Sequence, residues 1–248
     1  MKIAEKWKSK PKGWQIKVAA LLLCQVFCLG SAIWLFAKKK ILCGLLALLT
    51  LVLLCIPLGV ERYFRCTIAL PVYFFMLAYA MGPLLGDGYR LYHLTSWWDK
   101  LLHCAGGVFF AMLGLFLVQY LNHGNGLSPI LTAIFALCFS MAVAVLWEFF
   151  EYAADQLFAM DMQNDTYITE IHSYLIGGEL GELGHLRGIG SVTVNGIPME
   201  GYLDIGLIDT MRDMLIETAG ALAYVLLNAL NRGKHPVFQP SGKASSAA

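Results

Sequence analysis

The sequence predicts an all-α fold: a polytopic membrane bundle of about six transmembrane helices, with a small extracytoplasmic cap containing a β-hairpin. Three observations predict it. Of 248 residues, 58% are hydrophobic and 14% charged, and the mean hydropathy is +0.63, which places the chain in the membrane class. Apolar runs of spanning length recur along the chain, separated by charged or Gly- and Pro-containing breaks. Charge is also segregated: eleven of the 18 Lys and Arg fall within the first 65 residues, whereas 13 of the 17 acids lie between Glu148 and Glu217.

The first predicted helix covers residues 17–37. Lys2, Lys6, Lys8, Lys10 and Lys12 before it resemble a signal-peptide n-region. However, the run that follows is about 20 residues, long enough to span, and no small-residue cleavage site ends it, so the helix is expected to be retained. Further helices are expected over 41–60 and 66–86. The fourth, 98–121, opens at Trp97-Trp98, a pair suited to a membrane interface. Asn122-His123-Gly124-Asn125-Gly126 makes a tight polar connection. The fifth helix, 128–158, then begins with Ser128-Pro129, a cap followed by a proline where a helix tolerates one. The sixth covers 206–230.

The domain organisation follows from these elements. Residues 1–158 hold five helices and the basic N-terminus, 159–204 form an insertion, 205–232 contain the sixth helix, and 233–248 are a flexible tail. The insertion is acidic and Gly-rich, and its Val192-Thr193-Val194-Asn195-Gly196-Ile197 is a two-residue hairpin signal. With six spans, eleven basic residues collect on the side of both termini and six on the other. By the positive-inside rule both termini are cytoplasmic and the insertion lies outside. The Lys38–Lys40 cluster is the one feature that argues against this orientation. Seven cysteines lie in or beside apolar runs without any Cys-x-x-Cys, which reads as buried thiols rather than disulfides.

Charged groups are expensive in so apolar a chain, so their grouping locates a site. Asp99 and His103 stand one turn apart on the fourth helix. Glu148, Glu151 and Asp155 follow i, i+3, i+7 spacing on the fifth, and Asp209, Asp213 and Glu217 follow i, i+4, i+8 on the sixth. At about 1.5 Å of rise per residue, Asp99, Glu148 and Asp213 each lie about 30 Å from the opposite ends of their helices, at one boundary of the hydrocarbon core. His103 and Glu217 fall one turn deeper, while Asp155 and Asp209 form an outer pair. Gly106 and Gly220 beside the stripes permit close helix approach.

Carboxylates with one imidazole suit a divalent ion, Zn, Mg, Mn or Fe. The expected ligands are Asp99, His103, Glu148, Glu151, Asp213 and Glu217, with His103 or Glu151 as general base and Lys100 and Arg212 able to bind a phosphate. Structural readings compete with these. Asp99 and Asp209 suit helix N-termini, Asp155 reads as solvated, and Arg212 can pair with Asp209 or Asp213. Lys100 can snorkel to the headgroups, His172 and His185 read as plain surface histidines, and His93 and His123 as interfacial.

Trp98-Asp99-Lys100-Leu101-Leu102-His103, Trp147-Glu148-Phe149-Phe150-Glu151-Tyr152 and Asp209-Thr210-Met211-Arg212-Asp213-Met214, in this order, resemble the YjdF-type family of bacterial inner-membrane proteins. More distantly they resemble VanZ-like proteins. The resemblance covers residues 97–158 and 204–225. It implies a multi-span bacterial membrane protein whose signature is Asp99, His103, Glu148, Glu151, Asp209 and Asp213, and through the VanZ-like proteins a loose link to the cell envelope. Two departures stand out: Glu217 occupies a position expected to be uncharged, and the 160–204 insertion is longer than the family's connection.

Three functions follow from the same acids. The first is a metal-dependent enzyme, a hydrolase or transferase acting on an envelope lipid or lipid phosphate near the outer leaflet. Others are a cation or proton-coupled transporter and a non-catalytic membrane scaffold. Outer-face placement and the lack of an internal repeat favour the enzyme over the transporter. No His-Glu-x-x-His, Gly-x-Ser-x-Gly or Gly-Lys-Ser/Thr phosphate loop is present, and Pro240-Ser241-Gly242-Lys243 lies in the tail. The expected partner is membrane lipid, with no nucleic acid.

Overall fold

Pro11 holds an extended conformation, with φ −53° and ψ 142°, immediately before α1 (Lys12–Ala37), and its carbonyl accepts the Gln15 amide. A proline here costs the helix no hydrogen bond, because the first amides of a helix lack intrahelical acceptors. The computed structural model describes residues 10–122 and 127–230, and the backbone of 238–240. The expected connection at His123 to Gly126, and Ser241-Gly242-Lys243 of the tail, lie outside the described residues.

Lys39, with φ 60°, turns the chain from α1 into α2 (Ile41–Leu53). The run expected as one helix over 41–60 is two, α2 and α3 (Ile56–Tyr63), joined at Leu54-Cys55. Pro57 has no N–H to donate back across that junction. The helix expected over 66–86 also begins later than its apolar run. Arg65 takes φ 51°, Cys66–Ile68 form a short strand β1, and α4 (Leu70–Pro83) starts with Pro71 in its first turn, where a proline fits. A π-helical turn, Leu84–Gly88, extends α4. A short α5 (Leu91–Leu94) then leads to α6 (Trp98–Leu121), α7 (Pro129–Phe158) and α8 (Leu207–Leu230).

Among the described residues, six stretches are long and apolar enough to cross a membrane: Lys12–Ala37, Ile41–Tyr63, Leu70–Gly88, Trp98–Leu121, Pro129–Phe158 and Leu207–Leu230. The fold is therefore a polytopic helical bundle with a few small sheets. By its contacts the chain divides into two compact units, residues 1–140 with 217–248 and residues 141–216, each boundary falling inside a continuous helix.

The first unit has a core of Cys28, Ala32 and Leu35 from α1, Ala47 from α2, and Tyr73 and Leu77 from α4. Gly44 lets α2 seat against Phe36, whose ring would stand 2.6 Å from any added Cβ. β1 pairs antiparallel with Phe238–Pro240. All seven cysteines are free thiols.

The second unit carries nested antiparallel pairs. β2 (Thr166–Ile168) pairs with β7 (Tyr202–Asp204) and encloses β3 (Glu170–Ser173) with β4 (Gly184–Arg187), and β5 (Val192–Val194) with β6 (Ile197–Met199). The hairpin expected at 192–197 is β5–β6, with Asn195 and Gly196 both at positive φ, 51° and 83°, as a type I′ turn requires. The other two ladders have no such turn signal. Asp165, beside this unit's first strand, has its carboxyl held above the usual range by burial and then by Asp161, Asp155 and Asp204.

Candidate functional site

α6 positions the first two groups. Asp99 lies in its first turn, where a carboxylate complements exposed amides, and His103 follows one turn later, buried. His103 Nε2 is 3.6 Å from Asp99 Oδ1, and Nδ1 is 3.7 Å from Oε2 of Glu217 on α8. The imidazole therefore stands between two carboxylates, each contacting a different ring nitrogen. The Lys100 ammonium is 3.0 Å from Asp99 Oδ2, so it is engaged with a carboxylate of the cluster rather than extended only toward headgroups.

Glycines make this approach feasible. A Cβ at Gly107 would lie 1.9 Å from the Glu217 carbonyl oxygen, and one at Gly220 would lie 2.2 Å from that of Cys104. α6 and α8 thus cross backbone to backbone, the close packing that small residues allow in membrane helices. Gly220 has the role expected from sequence. Gly106 has a different one: space beside its Cα is bordered by the Tyr79 hydroxyl, 2.9 Å from a Cβ there, and by Glu217 Oε1 at 3.7 Å. Tyr79 and Gly107 were not among the sequence candidates. A lone tyrosine in an apolar run carries no spacing signal, and Gly107 is adjacent to a glycine already singled out.

Glu217 is 4% exposed, and its Oε1 has no hydrogen-bond partner among the described residues. This acid departs from the uncharged residue expected there, and it meets His103 from α8. Asp213 precedes it by one turn on the same helix and is 1% exposed.

Glu148 and Glu151 are buried on α7, and Glu151 Oε1 accepts the Trp147 indole N–H at 2.7 Å. Arg212 is exposed on α8. The outer acids serve the loop. Asp155, read from sequence as solvated, instead accepts the backbone amides of Met162 (2.7 Å) and Gln163 (2.9 Å). Asp209 is buried, and its Oδ2 accepts both the amide and the side-chain nitrogen of Asn164 at 3.0 Å. Both acids thereby fix the segment leading into the strands, a role that helical periodicity cannot reveal.

Neither the curated proteins nor the solved structures compared include a match to this chain. A family model described as "Predicted membrane protein (DUF2238)" matches residues 17–234, which include every candidate ligand, both glycine contacts and all the strands of the second unit. The chain belongs to this DUF2238 family of predicted membrane proteins.

Proposed function

We propose that the protein binds a divalent cation at a carboxylate and histidine site near the outer leaflet of a bacterial inner membrane, and uses it on an envelope lipid or lipid phosphate. The observation that carries this reading is His103 held between Asp99 and Glu217, with a buried Glu217 oxygen that has no hydrogen-bond partner among the described residues. A carboxylate withdrawn from water needs a counter-charge, and a cation provides one that neutral helix packing does not. Asp99, His103 and Glu217 form the core of the ligand set, with the metal one of Zn, Mg, Mn or Fe. The ordered resemblance of residues 97–158 and 204–225 to YjdF-type and VanZ-like proteins supports the bacterial envelope setting.

A bound cation would polarise a phosphoryl oxygen and lower the pKa of its water. Whichever of His103 and Glu151 does not ligate the cation would serve as general base toward that water. Lys100 and Arg212 supply charge for the phosphate. A scaffold reading is favoured by one observation, the use of Asp155 and Asp209 to hold loop amides, and it predicts no bound metal.

Elemental analysis of tag-free protein decides between them. Near-stoichiometric divalent metal is expected, and His103→Ala and Glu217→Gln should each lose most of it. Wild-type protein free of metal, or both variants retaining wild-type content, would sink the metal reading. Cation-dependent flux in reconstituted vesicles would turn the same site into a transport path.

A further inference from the structure

We propose a second metal site, independent of the first, on the β3–β4 ladder: His172 and His185 bind a first-row transition ion of the Zn2+ or Cu2+ kind. The two histidines are directly opposed in the antiparallel register, and their Nδ1 atoms face each other at 2.6 Å. Ring centroids are 4.8 Å apart, with the planes inclined at 71°. Two ring nitrogens that converge this closely share either a proton or a cation, and both protonated at once they repel.

Glu170 sets which of these is available. It lies two residues before His172, on the same face of the strand, and its Oε2 is 3.6 Å from His172 Nε2. A carboxylate on that side favours the proton at Nε2 and leaves the Nδ1 lone pair turned toward His185. This is the carboxylate–histidine arrangement that orients metal ligands. A tetrahedral ion with bonds of about 2.0–2.1 Å needs its two nitrogens about 3.3 Å apart, so the rings must open by about 0.7 Å. Nothing resists that movement strongly, since His172 is 44% exposed and His185 is also exposed. Arg187, paired across the ladder with Glu170, is the nearby charge that opposes a cation, and Glu170 offsets it. Imidazole nitrogens with open water positions select Zn2+ and Cu2+ over Mg2+ or Ca2+.

Electron paramagnetic resonance of Cu2+ added to tag-free, full-length protein in detergent tests the site, with Zn2+ as competitor. Coupling to two imidazole nitrogens is expected, displaced by Zn2+. His185→Ala should abolish the two-nitrogen pattern, and Glu170→Gln, which keeps both ligands and the strand, should weaken binding about tenfold or more. His103→Ala should leave the signal unchanged. A two-nitrogen signal that survives in both His185→Ala and His172→Ala, or that is absent from wild type, overturns the proposal. Loss in His103→Ala with retention in His185→Ala also overturns it and assigns the copper to the buried site.

Discussion

Lys17 belongs by sequence to the basic N-terminal run, yet its side chain is only 5% exposed. Its ammonium donates to the Glu61 carboxylate and, at 2.6 Å, to the Ile68 carbonyl, and it lies 5.5 Å from the Tyr73 ring centroid. Glu61 in turn accepts the Ile68 amide at 2.7 Å, so one ion pair also fixes the start of α4 by holding β1. Withdrawing both charges from water is costly, and removing one partner leaves the other buried and uncompensated. Glu61→Ala is therefore expected to destabilise the protein by about 3 kcal/mol, whereas Lys17→Met with Glu61→Leu recovers most of that loss. Denaturation in detergent measures both; equal losses in the single and double variants would refute the pairing argument. Nothing in the sequence couples positions 17 and 61, because their meeting depends on how α1 and α3 pack. Glu217 is the converse case. Its depth was legible from helical rise, but its contact with His103 was not.

At the scale of elements, the crossing of α6 and α8 rests on glycines rather than on apolar side chains. Gly107→Ala places a methyl group where the Glu217 carbonyl already stands, so the helices must separate. The cost of such overpacking is about 1–3 kcal/mol or more. Because His103 and Glu217 flank that crossing, metal content should fall together with stability. Gly30→Ala, with open space around its Cα, should leave both unchanged and serves as the control. Thermal melts with elemental analysis on the two variants check this; equal behaviour of the pair would show that the crossing does not hold the site.

The strands of the insertion respond to a different force. Asp165 has its carboxyl raised by burial and by three neighbouring acids, so the folded state takes up a proton before the unfolded chain does. Stability of the β2–β7 ladder should accordingly increase as pH falls through that raised range, and decrease as pH rises through it. Asp165→Asn should remove the dependence and strengthen the ladder at neutral pH. Protection factors from hydrogen exchange at Thr166–Ile168, corrected for the intrinsic rate at each pH, read it out between pH 7 and about pH 4.5, and a larger protection factor at the higher pH would contradict the sign.

For the whole molecule, the proposed orientation rests on the charge count along the sequence, in which the Lys38–Lys40 cluster is the dissenting feature. Labelling by a membrane-impermeant thiol reagent in right-side-out vesicles settles it. In a cysteine-free background, Leu180→Cys, fully exposed in the insertion, should react, and Lys10→Cys should not. The opposite pattern would reverse the topology and move the acidic cluster to the inner face.

Hydropathy and period were enough to read six spans, three acidic stripes and the β5–β6 hairpin, because each is a property of neighbouring residues on one element. Proline chemistry modified the ends of those spans locally, splitting one helix at Pro57 and delaying another to Leu70. Only the tertiary structure decided which acids face His103, which acids instead hold loop amides, and that Lys17 lies buried against Glu61. The contacts of His103 and of Lys17 depend on helices meeting across sequence separations of 44 to 114 residues, as in Lys17 with Glu61 and His103 with Glu217. Periodicity determines which face of a helix is polar, whereas backbone approach at Gly107 and Gly220 determines what that face meets.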